Sequence, residues 1–170
     1  MATASDAGAA PGKRANPLAP GLVDVVLAAG SLAMLAAVAA ALARGVGDWG
    51  RLPPVVWLHI ATICLALALT PVMLLRGRGD RRHRQLGYLW LGAMVATSLA
   101  SYGIRSGGFS WIHILSTVTL IGCWRALVTA RRHDWRNHRR TLRAIVGGAL
   151  LLAGFFTFQF DRILGRWLLG

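Results

Sequence analysis

Five long apolar runs, separated by short polar or basic stretches, set the pattern of this chain. The first, Leu22 to Ala43, is about as long as a helix that crosses a bilayer. Others cover Val55 to Leu75 (opened by Pro53-Pro54), Leu86 to Ile104, Phe109 to Ala130 and Ala144 to Phe160. In hydrocarbon the backbone must satisfy its own donors and acceptors, so each run is predicted as a helix. The expected fold class is all-α, an integral membrane bundle of five transmembrane helices. Residues 1–20, rich in Ala, Gly and Pro, read as a disordered tail, with Pro20 opening the first helix. Residues 21–44 are assigned to that first helix and 53–168 to a four-helix membrane domain. Asp161 to Trp167 reads as a short helix lying in the interface, with Trp167 at headgroup level. Ala41-Leu42-Ala43 resembles a signal-peptide cleavage site. The stretch before it is too long for such a peptide, so an uncleaved span is expected.

Composition sharpens this reading. The 170 residues suffice for one domain; 55% are hydrophobic and the mean hydropathy is +0.53. Yet the net charge is +13, with 19 Lys and Arg against 6 Asp and Glu. Such a charge suits either nucleic acid or membrane topology. The arginines fall between apolar runs rather than along one helix face, so the expected partner is the lipid bilayer and not nucleic acid. The stretch from Arg76 to Arg84 holds five arginines and that from Arg131 to Arg143 six, two spans apart on one side, with Lys13-Arg14. The opposite loops hold only Arg44, Arg51 and Arg105. The positive-inside rule then makes the basic side cytoplasmic in a bacterial-type inner membrane, with the N-terminus inside and the C-terminus outside. Arg125, near the inner end of the fourth span, is placed to snorkel to that interface. Cys64 and Cys123 lie at different depths, and a disulfide is not expected.

An internal repeat brings in candidate chemistry. Trp57-Leu58-His59-Ile60 recurs as Trp111-Ile112-His113-Ile114. His83 follows His59 by 24 residues and His138 follows His113 by 25. Gly92 and Gly147 each stand nine residues beyond the second histidine, and Thr62 and Ser116 each three beyond the first. The pattern reads as a duplicated helical hairpin, 53–104 and 108–160. It puts His59 and His113 near the outer surface and His83 and His138 at the cytoplasmic entrances. At 1.5 Å per residue, His59 lies about 25 Å from the inner end of its helix. Two histidines on separate helices can ligate a haem iron axially, and two haems stacked across the bilayer carry electrons between its faces.

This placement resembles the cytochrome b561 class, in which four consecutive helices carry two such pairs. The resemblance implies haem b as cofactor, with His59 and His113 as the outer metal ligands and His83 and His138 as the inner. Arg105 and Arg125 are then candidates for the haem propionates, and a redox partner or another membrane subunit becomes an expected partner. Thr62 and Ser116 are small enough to leave room beside the outer histidines. Gly92 and Gly147, half a turn away, are expected to serve close helix packing. The plainer reading of the histidines is hydrogen bonding between helices, and for His83 and His138 contact with lipid phosphates. His133, between Arg132 and Asp134, reads as solvated. A duplicated hairpin also suits a small cofactor-free transporter or an accessory subunit, although Pro71 has no counterpart in the fourth span. Asp24, in the first turn of the first span, is favoured there by the helix dipole. No HExxH, GxSxG, paired carboxylates or phosphate-cradling loop is present, so whether the chain is an enzyme stays open.

A further resemblance rests on His83-Arg84-Gln85-Leu86-Gly87, Gly107-Gly108-Phe109-Ser110-Trp111-Ile112-His113 and His138-Arg139-Arg140. Gly154-Phe155-Phe156-Thr157-Phe158 and Arg162-Ile163-Leu164-Gly165 complete the series. From His59 onward the chain resembles the bacterial multi-pass membrane family termed domain of unknown function 2306. Where that family often has Pro after the Phe-Ser pair, this chain has Trp111. The resemblance implies a helical bundle in a membrane and no particular activity.

Overall fold

The computed structural model describes residues 19–76, 80–104, 111–159 and 162–170. Every regular element among them is helical. The long helices are α1 (Leu22–Arg44), α2 (Pro54–Leu75), α3 (Arg81–Gly103), α4 (Trp111–Arg131) and α5 (Trp135–Thr157). A 3₁₀ turn, Val46–Arg51, links α1 to α2, and a short helix, Ile163–Leu169, follows α5. Four helices are long and apolar enough to cross a membrane: α1, α2, α4 from His113, and α5. α3 equals them in length but falls outside that set, because its C-terminal half carries Thr97, Ser98, Ser101 and Tyr102. The tail to Leu18, Lys13-Arg14, Gly107 to Ser110 and the Phe160-Asp161 junction lie outside the described residues.

Of the two basic segments read as loops, Arg131 to Arg143 is largely helix and Arg76 to Arg84 is helix from Arg81. α3 begins at Arg81 rather than Leu86, and α5 at Trp135 rather than Ala144. The cause is a pair of N-caps. Asp80 accepts the His83 amide at 2.6 Å, and Asp134 accepts the Asn137 amide at 3.2 Å and its side-chain amide at 2.6 Å. Arginine is a good helix former, so hydropathy hid these starts while propensity allowed them. The turn between α4 and α5 shrinks to three residues, with exposed His133 at φ +56°, a conformation histidine tolerates better than most.

The helices pack in chain order: α1 on α2, α2 on α3, α3 on α4, α4 on α5. The π-helical stretch of α5, Val146–Leu152, returns to α1, α2 and α4 and closes the ring. Within α2 to α5 the diagonals are therefore α2 with α4 and α3 with α5. Small residues let the helices approach: Ala66 and Ala126 are fully buried, beside Leu67, Met94, Trp90 and Leu150. The Trp90 indole donates to the Thr70 hydroxyl at 3.0 Å, so the ring's one polar atom is satisfied inside. Outward, Leu32, Leu58, Leu99, Val118, Ile121, Trp124 and Phe155 are all exposed. An apolar exterior of that extent suits lipid and not water.

Close packing uses other glycines than those expected. Space beside Gly92 is open, and a Cβ at Gly147 meets only Leu27, at 3.8 Å. Gly103 sits against Val55 and Gly122 against Ile145, where a Cβ would come within 2.9 and 3.0 Å. The C-terminal helix docks on the end of α1 rather than lying free. The Trp167 ring covers Gly45, its indole donates to Asp48 at 3.2 Å, and the Arg44 guanidinium reaches the Leu168 carbonyl. Trp49 and Trp57 meet edge to face at the same end, 5.2 Å apart, as aromatic side chains do at a bilayer boundary.

Candidate functional site

α3 organises the polar interior. Helix spacing brings Thr97, Ser98 and Ser101 to the buried side of α3, where hydrocarbon would leave their hydroxyls unpaired. Ser98 and Ser101 first satisfy themselves on local carbonyls, Met94 at 2.8 Å and Ser98 at 2.6 Å. Thr97 and Ser101 then reach across, to α2 and α4 respectively.

On the α2 side stands His59. Its Nδ1 lies 3.0 Å from the Thr97 backbone carbonyl and 3.0 Å from the Thr97 hydroxyl, while that hydroxyl donates to the His59 carbonyl at 3.3 Å. A carbonyl can only accept, so Nδ1 carries the hydrogen and Nε2 keeps its lone pair. Thr62, expected to leave room, donates back to the Leu58 and His59 carbonyls at 2.8 and 3.1 Å.

On the α4 side stands His113, buried, with its ring 5.5 Å from that of Tyr102. The Tyr102 hydroxyl lies 2.6 Å from Thr117 Oγ1 and donates to the His113 carbonyl at 3.2 Å. Ser116 does not stand beside an empty space. Its hydroxyl meets that of Ser101 at 2.5 Å, tying α3 to α4. Both His59 and His113 thus lean on α3, one through a hydrogen bond and one through a ring contact.

The other two histidines lie at the opposite end of the helices. His83 is half-buried in the first turn of α3, its amide held by Asp80. His138 is half-buried in the first turn and a half of α5, and its Nδ1 lies 2.9 Å from the Ala126 carbonyl of α4. The same reasoning puts a hydrogen on its Nδ1, which donates to that carbonyl. His83 comes three residues after its cap and His138 four after its own, about 100° apart in helical register. The extra residue in the second spacing is therefore a real offset. Arg125 is exposed on α4, one residue before the carbonyl that holds His138. Arg105 lies outside the described residues.

The site that hydropathy did not reveal is Asp24. It is fully buried and gripped by two arginines of α5, Arg139 at 2.5 Å and Arg143 at 2.8 Å, while it accepts the Gly21 amide at 3.0 Å. Dipole compensation accounts for a small part of this environment; the guanidiniums of another helix dominate it. Two of the six arginines assigned to topology are thus partly spent on an internal ion pair. The spacing of Arg139 and Arg143, one helical turn, was the available signal.

Outside the spans, Asp80 is held below its ordinary pKa, first by the His83 amide and then by Arg76. Asp134 is lowered likewise, by the side-chain and then the backbone amide of Asn137. Among the described residues no three His, Cys, Asp or Glu cluster to hold a metal ion, and both cysteines are free thiols. What the arrangement does offer is imidazoles on diagonal helices, His59 on α2 and His113 on α4 toward one end, His83 on α3 and His138 on α5 toward the other. Comparison with protein-family models, curated proteins and solved structures gives no match for this chain.

Proposed function

We propose that this chain is a five-span inner-membrane protein that binds b-type haem between paired histidines and passes electrons across the bilayer. The observation that carries the proposal is the pair of hydrogen bonds from histidine Nδ1 to backbone carbonyls of neighbouring helices. Ligand imidazoles commonly donate their second ring N–H to a backbone carbonyl, which orients the ring and raises its basicity. His59 does this to Thr97 and His138 to Ala126, each anchored on the neighbouring helix. Their partners in the proposed pairs, His113 and His83, stand on the diagonally opposite helices, α4 and α3. Ligand type, the two Nδ1 bonds and helix placement are what support this reading.

Haem, when bound, supplies a reversible one-electron iron couple. The chain's part is to hold and insulate. Thr97 and Ala126 fix two ring orientations through backbone oxygens, which substitution cannot remove. Tyr102 closes one side of His113, and Arg125 stands at the inner end as a cation for a carboxylate. α3 serves as the fifth span in this reading, since it is as long as its neighbours and lies along both α2 and α4. By the positive-inside rule, the arginine-rich starts of α3 and α5 favour the cytoplasmic side for that end. The test is optical. Protein purified in mild detergent from haem-replete cells is expected to show a reducible Soret band, diminished in His59→Ala and in His138→Ala. A folded but colourless preparation overturns the proposal and leaves an accessory subunit or transporter without cofactor.

A further inference from the structure

The start of α5 does more than mark topology. Trp135, Arg136, Asn137, Arg139, Arg140 and Arg143 line an open cavity of about 440 Å³, with Asp134 at its edge. Four guanidiniums thus face one lining carboxylate. Asp24, behind the wall, takes up part of the charge of Arg139 and Arg143. A positive excess remains on the solvent side, carried by Arg136 and Arg140, both exposed. The arrangement is partly preorganised. The Arg136 guanidinium stacks 5.2 Å from the centre of the Trp135 ring, and Asp24 fixes the inner two side chains.

We infer that this cavity binds the phosphate of an anionic phospholipid headgroup in the leaflet at the basic end. Guanidiniums in a fork geometry match phosphate oxygens better than isolated point charges do. The volume admits a phosphodiester with bridging water. Position decides between a lipid and a soluble anion. The cavity opens at the first turns of a helix that is long and apolar enough to cross a membrane, and half-exposed Trp135 is the kind of side chain that sits at headgroup level. The inference does not depend on haem.

Purified protein is titrated in detergent with dioleoylphosphatidylglycerol or dioleoylphosphatidylcholine, and bound lipid is counted by native mass spectrometry. Phosphatidylglycerol is expected to bind preferentially. The double variant Arg136→Gln/Arg140→Gln, which spares both Asp24 partners, is expected to weaken it about thirtyfold, or about fivefold per guanidinium. Arg81→Gln/Arg82→Gln removes equal charge from the start of α3 and is expected to leave binding within about twofold. High salt should erode the preference of the unaltered protein. Three results would overturn the inference: no preference over phosphatidylcholine, equal losses in the two double variants, or displacement of phosphatidylglycerol by millimolar inorganic phosphate.

Discussion

The two hairpins, α2 with α3 and α4 with α5, carry matching histidines yet hold them in different ways. In the first, His59, on α2, donates across to Thr97 on the other helix of its hairpin. In the second, His138, on α5, donates back to Ala126. Each proposed pair therefore contains one ring anchored through Nδ1 on a backbone carbonyl of the neighbouring helix. Among the described residues the second hairpin is also tied to α1 by the grip of Arg139 and Arg143 on Asp24. It is further distinguished by the π-helical stretch through which it meets α1, α2 and α4. π segments inside α-helices often accompany functional sites. Matching sequence motifs thus coexist with unlike surroundings.

The largest effect expected from breaking this asymmetry is at Asp24. Asp24→Asn leaves two partly buried guanidiniums without their countercharge and should cost about 3 kcal/mol, read as a lower thermal midpoint in detergent. A midpoint unchanged from that of the unaltered protein would mean that α5 is held by apolar packing alone. Next comes the contact between the hairpins. Ser101→Ala and Ser116→Ala, separately and together, should give a coupling of about 0.6 kcal/mol, the usual scale for a hydrogen bond between membrane helices. Simple additivity would deny the 2.5 Å contact any role in joining α3 to α4.

A matched test concerns the two caps. Asp80 and Asp134 are both held below the ordinary carboxylate pKa of 3.8. Their stabilising contribution is complete above that ordinary value and is lost as pH falls through the lowered one. Acid should therefore loosen the starts of α3 and α5 together, seen as faster amide exchange at His83 and Asn137. Asp80→Asn should abolish the acid step at α3 only. The smallest effect belongs to His133→Gly, which relieves a left-handed residue in the α4–α5 turn and should gain about 0.5 kcal/mol or less. A loss there would show that the His133 side chain supports the turn.

Much of the frame was legible in the pattern of residues. The apolar runs located α1, α2 and α4 closely, because hydropathy over some twenty residues reports what hydrocarbon demands. It misplaced the starts of α3 and α5 because arginine lowers hydropathy without opposing a helix. A capping Asp decides such a start, as at Asp80 and Asp134. Cys64 and Cys123 remain free thiols as expected. Gly92 and Gly147 misled, since equal spacing in the chain says nothing of what stands opposite, and nothing is near Gly92. The candidate histidines were found by their spacing, but Thr97, Ser101 and Tyr102 of α3 were not. Their role is a contact between helices, which no periodicity along one helix encodes. Asp24 does stand in the first turn of α1 as expected, but its partners, 115 and 119 residues away, were not foreseen.

The measurement that bears most directly on the paired histidines is the haem-to-protein ratio, taken from the pyridine haemochrome of purified protein and its variants. Two haems per chain are expected, falling to one in His59→Ala and, independently, to one in His138→Ala, with the remaining band still reducible. A ratio near zero in well-folded protein from haem-replete cells, or one indifferent to both substitutions, would contradict the account.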